Sequence, residues 1–162
     1  MSDIRQMVEG DLTAVNLLLS KTFTHARYQA GYRKGRVPLC RKEFLQLYFN
    51  ANPSGSFVIE KDHRIVAFCF SRLWGKTAWF GPLGVEPSAQ GKGDGTRIVL
   101  HAVENLKKSG ARTIGLETSA NSSKNLAFYS KLGFKFDSLT VDLIRRIAPK
   151  AQPTERSGYE RL

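Results

Sequence analysis

Residues 79–96 read WFGPLGVEPSAQGKGDGT, and the order of chemical types within this stretch decides the fold. An apolar strand, Thr77 to Val85, leads into the glycine cluster Gln90 to Gly95 and then into a helix beginning near Thr96. Strand, glycine turn and helix together form a place where backbone can meet an anion. The first amides of a helix have no internal partners, and the helix dipole favours negative charge there. Gly91, Gly93 and Gly95 allow close approach and positive φ. The same triplet would also serve a plain turn. Its spacing is not that of a P-loop, which needs four residues between its glycines and a Gly-Lys-Ser/Thr ending. Nor is it a dinucleotide fingerprint, which follows the first strand of its fold, whereas this cluster stands mid-chain.

Downstream, Ile98, Val99, Ala102, Val103 and Leu106 recur at helical spacing, and Ser109 with Gly110 ends that helix. Thr113 to Thr118 reads as a strand. Ser122 or Ser123 caps a helix reaching Leu132, Gly133 stops it, and Phe134 to Ile147 reads as one or two final strands. Upstream, Ile4 to Met7 reads as a short strand, and Asp11 is placed to cap a helix carrying Leu12, Val15, Leu18 and Leu19, which ends near Thr24. A helix follows from Lys42 to Phe49, then a break at Asn52 to Gly55. Ser56 to Glu60 and Ile65 to Phe70 form a hairpin about the polar turn Lys61 to Arg64. Between the first two helices, His25 to Cys40 carries Tyr28, Tyr32, Arg33, Lys34 and Arg36. That composition suits either a solvated connector or one wall of a substrate site. Alternation of strand and helix in the second half predicts an α/β domain with both sheet faces covered.

A chain of 162 residues fits one domain with a sizeable core, and 41% hydrophobic with 24% charged residues excludes disordered and fibrous classes. The domain is expected over 1–147, with a basic tail over 148–162. No apolar run approaches the roughly 20 residues that cross a bilayer. The start, MSDIRQMVEGDL, lacks the apolar stretch of a signal peptide, so a cytoplasmic location and no membrane partner are expected. Cys40 and Cys69 lack CxxC spacing and are read as buried hydrophobes; no metal site is expected. Twenty-five Lys and Arg against 14 acidic residues give a charge of +11, which attracts polyanions. The chain has no RRM aromatic signature, KH loop or zinc spacing, so nucleic acid is not an expected partner.

Gln90, Gly93 and Gly95 match Q/R-x-x-G-x-G/A, and in ETSANSSKNLAFYSKLGF, which opens at Glu117, Tyr129, Lys131, Gly133 and Phe134 match Y-x-K-x-G-F. In this order and separation the two motifs resemble the GNAT acetyltransferases over residues 79–136. The resemblance implies a central, mixed and mostly antiparallel sheet flanked by helices on both faces, in which the fourth and fifth strands run parallel and splay apart. It implies acetyl-coenzyme A as co-substrate, with the pantetheine arm on backbone around Leu83, Gly84 and Val85. The pyrophosphate would meet the turn formed by Gln90, Gly91, Lys92, Gly93, Asp94, Gly95 and Thr96. Asp94 departs from the usual apolar residue, and its carboxylate must face away from phosphate. Asn125 fits the N-x-x-F-Y pattern of antibiotic-modifying members and is a further candidate for the cofactor.

Amine acetylation needs a neutral nucleophile, a polarised carbonyl and a proton for the leaving thiolate. Tyr129, with an ordinary pKa near 10, is the candidate proton donor, or else an aromatic packed between helix and sheet. Glu117 is the leading base, since in the resembling ribosomal-protein alanine acetyltransferases a glutamate precedes the tyrosine by the same interval. Glu86 is its rival, and the alternative reading of each is an ordinary surface carboxylate. A backbone amide near Val85 would polarise the carbonyl. The function implied is transfer of an acetyl group to a primary amine by direct attack in a ternary complex. The acceptor is open among protein N-termini, lysines, polyamines and small xenobiotic amines. The alternative is a non-catalytic acyl-CoA-binding module. A homodimer remains open.

Overall fold

The computed structural model describes residues 3–32 and 35–138. Strand β1 (Asp3–Gln6) opens the fold, followed by helices α1 (Leu12–Gln29) and α2 (Lys42–Ala51) and strands β2 (Phe57–Lys61), β3 (Arg64–Trp74) and β4 (Thr77–Val85). Helix α3 (Asp94–Lys108), strand β5 (Thr113–Gly115) and helix α4 (Ser123–Lys131) complete it. The five strands lie in sequence order; every neighbouring pair is antiparallel except β4 and β5, which are parallel.

Alternation along β3 divides the core between the two sheet faces. Phe68 and Phe70 point to the side of α1 and α2, where they join Met7, Leu12, Val15, Leu18, Leu19, Leu45 and Val58. Ala67 and Cys69 point to the opposite side, with Phe57, Ile59 and Phe80, against Ile98, Val99 and Ala102 of α3. Helix α4 covers the same side through Phe128, Tyr129 and Leu132. Each large side chain so buried contributes about 1.5–3 kcal/mol relative to exposure. At the other end of the sheet, Arg5 of β1 donates to Asp11 at 2.7 and 2.9 Å and to Glu60 of β2 at 2.8 Å. The Arg5 hydrogen bond holds the Asp11 carboxyl below its usual range.

Several boundaries differ from expectation. Helix α1 passes Thr24 and runs to Gln29, stopping where Gly31 takes φ 87, the first nearby residue suited to the left-handed region. Asp11 stands at the N-cap position of α1, as expected, but its carboxylate accepts from the Val8 amide at 2.9 Å and closes the 3-10 turn Glu9–Asp11 rather than bonding to the helix. Strand β3 extends beyond Phe70 to Trp74, because β4 pairs with it along that length. The turn between β2 and β3 is the two-residue Asp62–His63, with φ 47 and 59, which suits the twist of a hairpin. The fifth strand covers Thr113–Gly115, not Thr113 to Thr118. Residues 134–138 form no strand; the remainder of the expected final strands, the tail over 148–162, and Arg33 and Lys34 of the connector lie outside the described residues. Among the described residues no helix is long and apolar enough to cross a membrane.

Candidate active site

The site begins where the parallel strands part. Pairing of β4 with β5 covers Thr77 to Trp79 against Thr113 to Gly115 and then ends. One reason lies in β4. Its register against β3 slips at Gly81 and Pro82, since Cys69 faces Leu83 while Ser71 faces Phe80, a bulge that bends the strand. The extra residue leaves both Phe80 and Leu83 on the α3 side. Beyond the bulge the edge of β4 toward β5 is unpaired among the described residues. The Glu86 amide donates to Val66 of β3 at 2.8 Å, so alternation directs the main-chain groups of Leu83 and Val85 toward the open edge. Gly84 faces the opposite side, where an added Cβ would lie 2.5 Å from Phe68 and 2.8 Å from Thr22.

That edge leads to the glycine turn. Helix α3 starts at Asp94, two residues before the expected Thr96, and its N-cap is Gly93 with φ 89. Gly91 has φ 79; around both glycines the space a Cβ would occupy is open. The first main-chain bond at this helix start runs from the Arg97 amide to the Gly93 carbonyl at 3.0 Å. Among the described residues, amides from Gly91 to Thr96 donate to no carbonyl outside α3, and the opening amides of a helix have none within it. Such a turn, exposed at Gly91, Lys92 and Gly93, fits a diphosphate. The Asp94 carboxylate does face away: it is 2% exposed and lies 2.6 Å from Lys61 Nζ. It is not the cap, which is Gly93.

Gln90 spans the cleft rather than standing free. Its amide nitrogen donates to the Val85 carbonyl at 3.1 Å, and its oxygen accepts from Lys124 of α4 at 2.7 Å. Helix α4 is capped by Ser122, whose hydroxyl accepts from the Asn125 amide. The Asn125 side chain donates to Thr118 Oγ1 at 3.1 Å, tying the helix to the segment after β5. Phe128 packs beside Gly95, where a Cβ would meet it at 3.4 Å.

The Tyr129 ring of α4 packs against Phe128, Phe80 and Phe134 at centroid distances of 5.0, 6.1 and 6.1 Å. Burial, with the Cys69 thiol beside it, pushes the phenol up to about 12. It therefore keeps its proton throughout the neutral range. Among the described residues its hydroxyl makes no hydrogen bond. Cys69 is fully buried, as expected, and burial pushes its thiol up to about 12.

The two candidate carboxylates differ. Glu117 lies two residues past the end of β5, exposed and without an ion pair among the described residues. Glu86 follows β4 on the α1 side, and its Oε1 lies 2.6 Å from Lys21 Nζ. It lines an open groove of about 730 Å³ beside α1, together with Lys21, Thr24, Arg36 and Arg64. Of the connector, Arg36 thus reaches a cleft, whereas Tyr28 and Tyr32 are exposed. Lys61 and Lys124 had no motif to reveal them: each meets its partner across more than thirty positions of sequence.

Residues 16–134 match the acetyltransferase (GNAT) family. The chain is 27% identical over 142 residues to the [ribosomal protein bS18]-alanine N-acetyltransferase of Salmonella typhimurium, covering 85% of this chain and 89% of that one. It is 39% identical over 64 residues to the uncharacterized N-acetyltransferase YvbK of Bacillus subtilis, a match to 40% of this chain and 41% of that protein. In fold it resembles the PaiA N-acetyltransferase of Thermoplasma acidophilum, solved in complex with coenzyme A, at TM-score 0.71 and 18% identity, covering 86% of this chain and 93% of that one. The parting parallel strands, the glycine turn between β4 and α3 and the family match agree: the chain belongs to the acetyltransferase (GNAT) family and is an acetyltransferase.

Proposed function

We propose that the protein is an acetyl-CoA-dependent N-acetyltransferase that acetylates a primary amine by direct attack in a ternary complex, acting in the cytoplasm. Three observations support this reading: among the described residues β5 pairs with β4 only as far as Trp79, the turn Gly91–Gly93 before α3 is exposed, and the partly buried Tyr129 ring packs against Phe80 of β4. The residues fit the co-substrate. Main-chain groups of Leu83 and Val85 would hold its arm, with Gly84 packing that strand against α1. Amides from Gly91 to Thr96 would hold its diphosphate, with Lys92 adding charge at the exposed rim. Gln90 and Asn125 brace the two walls between which it lies.

Bound acetyl-CoA supplies an acyl group already activated as a thioester. Tyr129 holds the proton for the leaving sulfur at its phenolic oxygen, and the apolar rings around it keep that proton in place. Glu117 accepts the proton of the attacking amine, directly or through water; among the described residues it has no ion pair. Glu86, paired with Lys21, is the weaker candidate for that role. The amide near Val85 stabilises the charge that develops on the carbonyl oxygen. Release of free CoA, measured over a panel of an N-terminal alanine peptide, a lysine peptide, polyamines and small aromatic amines, tests the reading. Turnover with one class is the expected result. Tight CoA binding without turnover across the panel would leave a binding module instead.

A further inference from the structure

We propose that Lys61 and Asp94 form a positioning pair that presets the diphosphate-binding turn before the co-substrate arrives. This inference rests on the reading of that turn given above. A carboxylate at the first position of a helix stabilises the helix dipole but should repel a diphosphate approaching the same amides. Here the conflict is resolved by direction. Asp94 is buried while Gly93 beside it is exposed, and its Oδ2 lies 2.6 Å from Lys61 Nζ at the end of β2. Its Oδ1 faces the Arg97 guanidinium, one turn along α3, at 3.6 Å. The negative charge is therefore matched on the inner side of the helix, and the outer side presents amides.

The pair also settles where those amides point. Gly91 and Gly93, with φ 79 and 89 and open space around each Cα, give the turn wide backbone freedom. An anchored residue directly after them removes it. Drawing a buried carboxylate away from its cation is unfavourable, so the first turn of α3 stays fixed to the β2–β3 hairpin. Because β2 lies on the far side of β3 from β4, the anchor is independent of the strand that lines the cleft. Restricting the turn in advance lowers the ordering cost of binding, which is how preorganisation raises affinity.

Titration calorimetry with CoA on the wild type, K61M, K61R and D94N, alongside Tm and far-UV circular dichroism, tests the pair. The wild type binds, K61M and D94N weaken CoA by about tenfold or more, and K61R stays within about threefold. Charge alone predicts the opposite sign for D94N, since removing a negative group beside a diphosphate would tighten binding. D94N that folds and binds CoA as well as the wild type, or better, overturns the proposal; so does K61M at the wild-type affinity. Lys61 stands at a strand end with its side chain 31% exposed, and Arg97 still faces Asp94 when Lys61 is replaced, so K61M and K61R, each checked by Tm and circular dichroism, decide the matter if D94N does not fold. Pantetheine, which lacks the diphosphate, is the control. Equal losses for pantetheine and CoA would mean general damage to the cleft and would also overturn it. Absence of CoA binding by the wild type sinks the turn and the pair together, whereas wild-type binding with unchanged variants sinks the pair alone.

Discussion

Tyr129 is packed among aromatic rings and, in the mechanism proposed above, is also the acid. Y129F keeps the ring contacts with Phe80, Phe128 and Phe134 and removes only the proton, so kcat should fall by about 10²–10⁴-fold with little change in the KM for acetyl-CoA. Because the folded pKa, about 12, is above the ordinary 10, the phenol's contribution to stability is complete below pH 10. It is lost as pH rises from 10 to about 12, and Y129F should flatten that part of a plot of Tm against pH. For the base, E117Q should lower kcat by roughly 10²-fold or more, and E86Q by clearly less; single-turnover rates with a saturating amine decide between them. Motif letters singled out Tyr129 and the glycine turn as candidates because a motif is a local order of residues. Lys61 and Lys124 stayed hidden because a cation's partner is set by the fold, and no local pattern marks it.

Elements were legible to the extent that their causes are local. The amphipathic faces of α1 and α3 and the alternation in β3 follow from side-chain period, and their cores match it. Boundaries failed where a partner decides them. Strand β5 stops at Gly115 because β4 bends away after its bulge, and Thr113 to Thr118 gives no sign of what its neighbour does. Helix α1 outlasts Thr24 because the returning segment bonds to it, the Val37 amide donating to Thr24 Oγ1 at 2.9 Å and the Cys40 amide to Asn16 Oδ1 at 2.9 Å. The close fit of β4 on α1 gives a test at this scale. G84A places a methyl against Phe68 and Thr22 and should cost about 1–3 kcal/mol. In a thermal melt that corresponds to about 2–4 °C for each kcal/mol.

For the molecule as a whole, the parallel pair came from resemblance to a family, since periodicity alone does not say which strands are neighbours. The charge of +11 acts at this level too. A polyanionic co-substrate is drawn toward such a surface over distances comparable to the Debye length, about 10 Å at 0.1 M salt. The KM for acetyl-CoA should therefore rise several-fold between about 0.05 and 0.5 M salt, with kcat nearly constant. The notch between β4 and β5 carries a different consequence. Without ligand it leaves a row of main-chain groups that another chain's extended segment could pair with, the usual route to intermolecular β-aggregation. CoA should act as a plug against such self-association: light scattering on prolonged warming below Tm should rise in the ligand-free protein and stay flat when CoA is saturating.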